Sequence, residues 1–126
     1  DYPKAEAAYN DFKKLYGGAS SATSEIGLAR IAVEKKDYGS AKARLEPITA
    51  EALQEKSIAP TKARAYSQAF LVSGLTKEAE GNLPGALEDY LRTVTIFYHD
   101  PAAVSQAQEQ ADALRTRSKD HPITVP

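Results

Sequence analysis

Apolar residues recur along this chain at three- and four-residue spacing, the period of an amphipathic helix, in six successive segments. The first predicted helix runs from about Pro3 to Tyr16, with Ala5, Ala8, Tyr9, Phe12 and Tyr16 on one face, and Gly17-Gly18 ends it. Ser20, Ser21, Thr23 and Ser24 are capping candidates for a second helix reaching about Lys36, with Ile26 or Leu28, Ala29, Ala32 and Val33 inward. Asp37 starts the third, which carries Tyr38, Ala41, Leu45, Ile48 and Leu53. Pro47 removes a backbone donor inside it and predicts a kink or break. Residues 54–60 read as a connection. Pro60 then opens a fourth helix with Ala63, Tyr66, Phe70, Gly74 and Leu75 on one face, closed by Gly81-Asn82.

Local propensity alone makes the stretch from Arg92 to Tyr98 a strand, because it is rich in Thr, Val, Ile and aromatics. Periodicity overrides it: Leu87, Tyr90, Leu91, Val94 and Phe97 fall at helical spacing, and Pro84 in front with Asp100-Pro101 behind frames a fifth helix. Asp100 caps a sixth, with Pro101 at its first position and Val104, Ala107, Ala111 and Leu114 inward. The tail, residues 119–126, contains two prolines and is expected to extend.

One short phrase returns three times, as Asp1-Tyr2-Pro3-Lys4-Ala5, Asp37-Tyr38-Gly39-Ser40-Ala41 and Asn82-Leu83-Pro84-Gly85-Ala86. Each copy is a capping residue, an apolar residue, two turn residues and an alanine that opens an amphipathic segment, which implies a helical array. The clearest unit, from about Ala63 to Pro101, resembles the tetratricopeptide repeat. Gly74 stands at that family's small helix-contact position, Gly81 at the interhelix turn, Ala86 at the small residue of the second helix and Tyr90 at the bulky one. In the preceding copy Ala29, Lys36, Ala41 and Leu45 take the same places, with lysine instead of the turn glycine. In the first copy only Ala5 and Tyr9 match. The markers Ala5, Ala41 and Ala86 are 36 and 45 residues apart, against a family period of about 34; the excess is assigned to the region from Pro47 to Pro60. The phrase from Tyr90 to Pro101 is also similar to repeats of bacterial cell-envelope proteins, a likeness that favours the periplasm or cell envelope over the cytoplasm while the compartment itself stays unknown.

The resemblance implies an all-α, right-handed α-solenoid, a superhelix of about six antiparallel helices. It would be one domain over residues 1–118: a partial repeat at 1–18, repeats at 22–56 and 60–99, and a capping helix at 101–118. First-half helices then line a concave groove. By register its positions are Thr23, Ile26, Arg30 and Val33 in one helix, Gln68, Leu71, Leu75 and Glu78 in the next, and Gln108, Asp112 and Arg115 in the last. Arg30 and Arg115 are placed to hold a ligand carboxylate, with Leu71 and Leu75 as an apolar floor; the competing reading pairs both arginines with nearby helix carboxylates. The expected function is a non-catalytic scaffold binding a peptide or protein segment, as one module of a longer bacterial protein. The alternative is a structural spacer within a longer repeat array, with open ends that favour self-association.

Composition sharpens this picture mainly by exclusion. Sixteen basic and seventeen acidic residues leave a formal charge of -1 with no block of either sign, so a nucleic-acid partner is not expected. No apolar run approaches the roughly 20 residues that span a bilayer, so this segment is not expected to insert in a membrane. Cysteine is absent, which removes disulfides, thiolate metal sites and a cysteine nucleophile. Methionine is absent too, and with the half-repeat at the start this suggests a piece of a longer chain.

Candidate chemistry is sparse. His99 and His121 lack partners at metal-binding spacing, and His99 reads as a helix-end residue favourable to the dipole. Gly17-Gly18 and the run Gly81 to Gly85 read as helix stops, not phosphate loops. Glu78 with Glu80, and Glu88 with Asp89, read as solvated helix faces, because adjacent and alternate helix positions diverge. Tyr9, Phe12, Tyr66, Phe70, Tyr90 and Phe97 read as core, not as a stacking platform. No catalytic residue, cofactor or metal is expected.

Overall fold

The computed structural model describes residues 3–8, 19–55 and 60–117. Their regular structure is all helical, with no strand. A helical stretch at residues 3–8 (α1) is followed by α2 (Ala19–Glu34), α3 (Tyr38–Gln54), α4 (Pro60–Ala79), α5 (Leu83–Thr95) and α6 (Pro101–Arg117). No helix among the described residues is long and apolar enough to cross a membrane. Tyr9, Phe12, Gly17-Gly18, His121 and the tail lie outside the described residues.

From α2 onward each helix packs on the next, and α4 additionally packs on α2 and α6. Among the described residues, the backbones of α3 and α5 do not approach each other, nor do those of α2 and α6. Helix α4 is therefore the hub on which α2, α3, α5 and α6 all pack. Touching four helices, α4 is buried around much of its circumference, at Ala63, Tyr66, Ser67, Ala69, Phe70, Leu71, Val72 and Thr76. One apolar cluster joins α2, α3 and the first half of α4, and a second joins Leu71 to α5 and α6.

The same turn is built twice. The Lys36 amide donates to Val33 O at 3.0 Å and the Asp37 amide to Ala32 O at 2.8 Å; the Gly81 and Asn82 amides donate to Glu78 O at 3.0 Å and Lys77 O at 2.8 Å. Both are Schellman closures in which the second donor also caps the next helix: Asp37 accepts from the Ser40 amide, and Asn82 from the Gly85 amide. This closure needs a left-handed residue, supplied by Gly81 (φ 87°) and by Lys36 (φ 64°). A side chain in that region carries a penalty of about 1–2 kcal/mol that glycine avoids. Lys36→Gly, at an exposed site, should therefore raise unfolding stability by about 1 kcal/mol in urea titration.

Several sequence expectations need correction. Pro47 does not break α3, which is continuous from Tyr38 to Gln54. The missing bond belongs to the Ala43 carbonyl, and Ala43 and Pro47 both lie on the exposed face, where water can serve as donor. Ala52, not Leu53, completes the buried face of that helix, and Leu53 is exposed. Ser20, Ser21, Thr23 and Ser24 fall inside α2 instead of capping it. Helix α5 ends at Thr95, so Phe97 is not on it. Its ring seats instead between Tyr66, edge-on at 6.0 Å, and Phe70, stacked at 4.7 Å. In α6 the inward face is Ala103, Ala107, Ala111 and Leu114, and Val104 is only half-buried.

Candidate functional site

Helices α2 and α6 both pack on α4, and their backbones do not approach each other. Two adjoining cavities lie between the three helices. The larger, about 550 Å³, is lined by Arg30, Val33 and Glu34 of α2, Val72, Leu75, Glu78 and Ala79 of α4, and Gln106 and Gln110 of α6. The smaller, about 210 Å³, is lined by Thr23, Ile26, Gly27 and Arg30, by Gln68 and Leu71, and by Asp100, Ala102, Ala103 and Gln106. Arg30 and Gln106 line both and mark the boundary, where the Arg30 guanidinium donates to Gln106 Oε1 at 3.2 Å.

Two carboxylates in this surface are held in place. Asp100 Oδ1 accepts from the Ala102 and Ala103 amides at 3.1 and 3.3 Å, capping α6 as its sequence position implied, while Oδ2 accepts from Gln68 Nε2 at 2.6 Å. Burial works against its ionisation, but the Gln68 and amide hydrogen bonds, with Arg64 nearby, outweigh it and hold the carboxyl below its ordinary range. The cap therefore stays charged through neutral pH. Glu78 Oε1 accepts from the Tyr90 hydroxyl at 2.7 Å, which ties the cavity wall to α5 behind it.

Of the residues placed in the groove by register, Thr23, Ile26, Arg30, Val33, Gln68, Leu71, Leu75 and Glu78 line these cavities. Gln108, Asp112 and Arg115 do not. They lie on an exposed part of α6, where Gln108 Nε2 donates to Asp112 Oδ1 at 3.1 Å and Arg115 sits 3.8 Å from the same oxygen. Two helix positions span about 200°, so moving from Gln106 to Gln108 crosses to another side. Arg115 is thus not brought to Arg30, and a joint clamp is not assembled.

Sequence reasoning missed Gln106 and Gln110. A 35-residue step from Leu71 and Leu75 lands on them, and from Gln68 it lands on Ala103. That spacing was the available signal.

Other candidate chemistry resolves into structure. Glu80 pairs with Lys42 at 3.0 Å, and Glu88 pairs with Arg92. Asp89 is not on a solvated face but 1% exposed, accepting from Ser73 Oγ at 2.7 Å and paired with Lys77 at 2.9 Å and Arg92 at 3.0 Å. His99 stacks on Tyr98, with ring centroids 4.7 Å apart. Among the described residues no group of three or more His, Cys, Asp or Glu side chains is arranged to hold a metal ion. Tyr66, Phe70, Tyr90 and Phe97 are buried and present no stacking surface. No protein-family model, curated protein or solved structure matches this chain.

Proposed function

We propose that the chain is a non-catalytic scaffold that binds a peptide or protein segment along the concavity of α2, α4 and α6, within a right-handed tetratricopeptide-like solenoid. The observation that carries the reading is the cavity pair itself. Three helices from different parts of the chain converge on it, with an apolar floor at Val33, Leu71, Val72 and Leu75 and polar groups along its length. The two matching turns and the pairing of α4 with both α2 and α6 support a hairpin-repeat arrangement. In this reading Arg30, at the junction of the cavities, fixes the register of the bound segment by hydrogen bonding.

A random-peptide display library selected on the intact protein tests this, with affinities then measured by fluorescence anisotropy. Selected peptides should share a sequence pattern and lose binding to Arg30→Ala and to Gln110→Trp, which fills the larger cavity, while both variants keep the parent melting temperature. Peptides indifferent to both changes, or no enrichment, would remove the groove reading. The latter would favour the spacer, for which the exposed Leu53, Ile96 and Tyr98 offer apolar surface to a neighbouring unit.

A further inference from the structure

The electrostatics of the cavities specify their occupant more narrowly than shape does. Three carboxylates, Glu34, Glu78 and Asp100, line the two cavities with one lining guanidinium, that of Arg30, while Arg64 stands near Asp100. The guanidinium reaches across to the Gln106 amide oxygen, so its hydrogen bonding is partly spent on holding α2 to α6. In the larger cavity Glu34 and Glu78 stand beside an apolar strip from Val33, Val72 and Leu75.

We infer that the larger cavity accepts a lysine or arginine side chain from the bound segment, its methylene stem against the Val33, Val72 and Leu75 strip and its cationic head at Glu34 and Glu78. This rests on the groove reading above. Long basic side chains bury their stems on apolar surface while keeping the charged group at a polar edge. Charge-assisted hydrogen bonds to carboxylates then reward that arrangement. An acidic side chain placed there meets like charges on two walls, so the lining rejects acidic segments as well as attracting basic ones. The same excess of carboxylates speeds encounter with a basic segment, an effect that salt weakens.

Peptides selected on the parent protein provide the test. The expected pattern contains a lysine or arginine whose replacement by norleucine lowers affinity about tenfold. Glu34→Gln, on the exposed rim, should lower it about five- to tenfold without changing the melting temperature, and selection on Glu34→Lys should enrich aspartate or glutamate at the same peptide position. Peptides that lose binding to Gln110→Trp yet carry no basic residue, or carry an acidic one and ignore Glu34→Gln, would overturn this inference and leave the groove standing. Peptides that still bind Gln110→Trp and Arg30→Ala would remove both.

Discussion

Truncating Tyr90 to alanine should cost about 3–5 kcal/mol of stability and lower the melting temperature by about 10–20 °C. The ring is fully buried between α4 and α5, and its hydroxyl donates to Glu78 at 2.7 Å. Its seat exists because position 74 has no side chain. A Cβ on Gly74 would lie 2.5 Å from Tyr90 Cε1 and 2.6 Å from Cδ1, closer than packed carbons come. Gly74→Ala should therefore destabilise by about 1–3 kcal/mol through overpacking. The two changes should not add: in the double variant the truncated ring no longer opposes the new methyl group, so the added loss from Gly74→Ala should largely vanish. Thermal and urea unfolding of the four proteins measures this. Full additivity would show that the ring and the glycine do not share the contact. Tyr90→Phe keeps the packing, loses the bond to Glu78, and should cost about 1 kcal/mol.

Removing both cations around Asp89, as Lys77→Met with Arg92→Met, should cost about 3–5 kcal/mol, because it leaves a carboxylate that is 1% exposed with only the Ser73 hydroxyl as a described side-chain partner. Removing the acid should cost less. After Asp89→Ala the two cations remain, but Lys77 and Arg92 are 32% and 26% exposed, so water recovers part of the lost interaction. That variant should lose about 2–3 kcal/mol. Arg92 also pairs with Glu88 and lies over the Phe70 ring at 5.7 Å, which gives its charge further support when Asp89 is gone. Equal losses from the two variants would mean that Asp89 is better hydrated than its burial indicates. The network joins α4 to α5, so either loss should loosen the wall that carries Glu78 and the groove with it.

How much of this was legible in advance depended on whether the governing interaction was local. Helix ends set by neighbouring residues were readable: Asp37, Asn82 and Asp100 accept backbone amides three or fewer residues ahead, and such caps leave a direct mark in sequence. Gly74 and Tyr90 each stood out in the sequence as one small and one bulky position, but that the one seats the other is a contact between helices that the structure supplies. The α2 and α4 residues expected in the groove line the two cavities. Those on α6 do not, although the inward face was legible there at Ala107, Ala111 and Leu114, with Ala103 in place of Val104. The cavity residues Gln106 and Gln110 stand two positions, about 200° of helix, before the expected Gln108 and Asp112.

The chain's own pattern thus determined the helical class, the order of the helices, the two matching turns and the inner faces of α2 and α4, all consequences of 3.6-residue periodicity and of capping. Tertiary structure decided the rest, through contacts between residues distant in sequence. It set Phe97 between Tyr66 and Phe70 after α5 had ended, buried Asp89 among Ser73, Lys77 and Arg92, and turned Pro47 toward water so that α3 runs unbroken. It also chose which side of α6 faces the cavities. Periodicity defines a stripe on each helix, but the rotation of that stripe against its neighbours depends on how side-chain volumes fit, and that fit is a property of the packed chain.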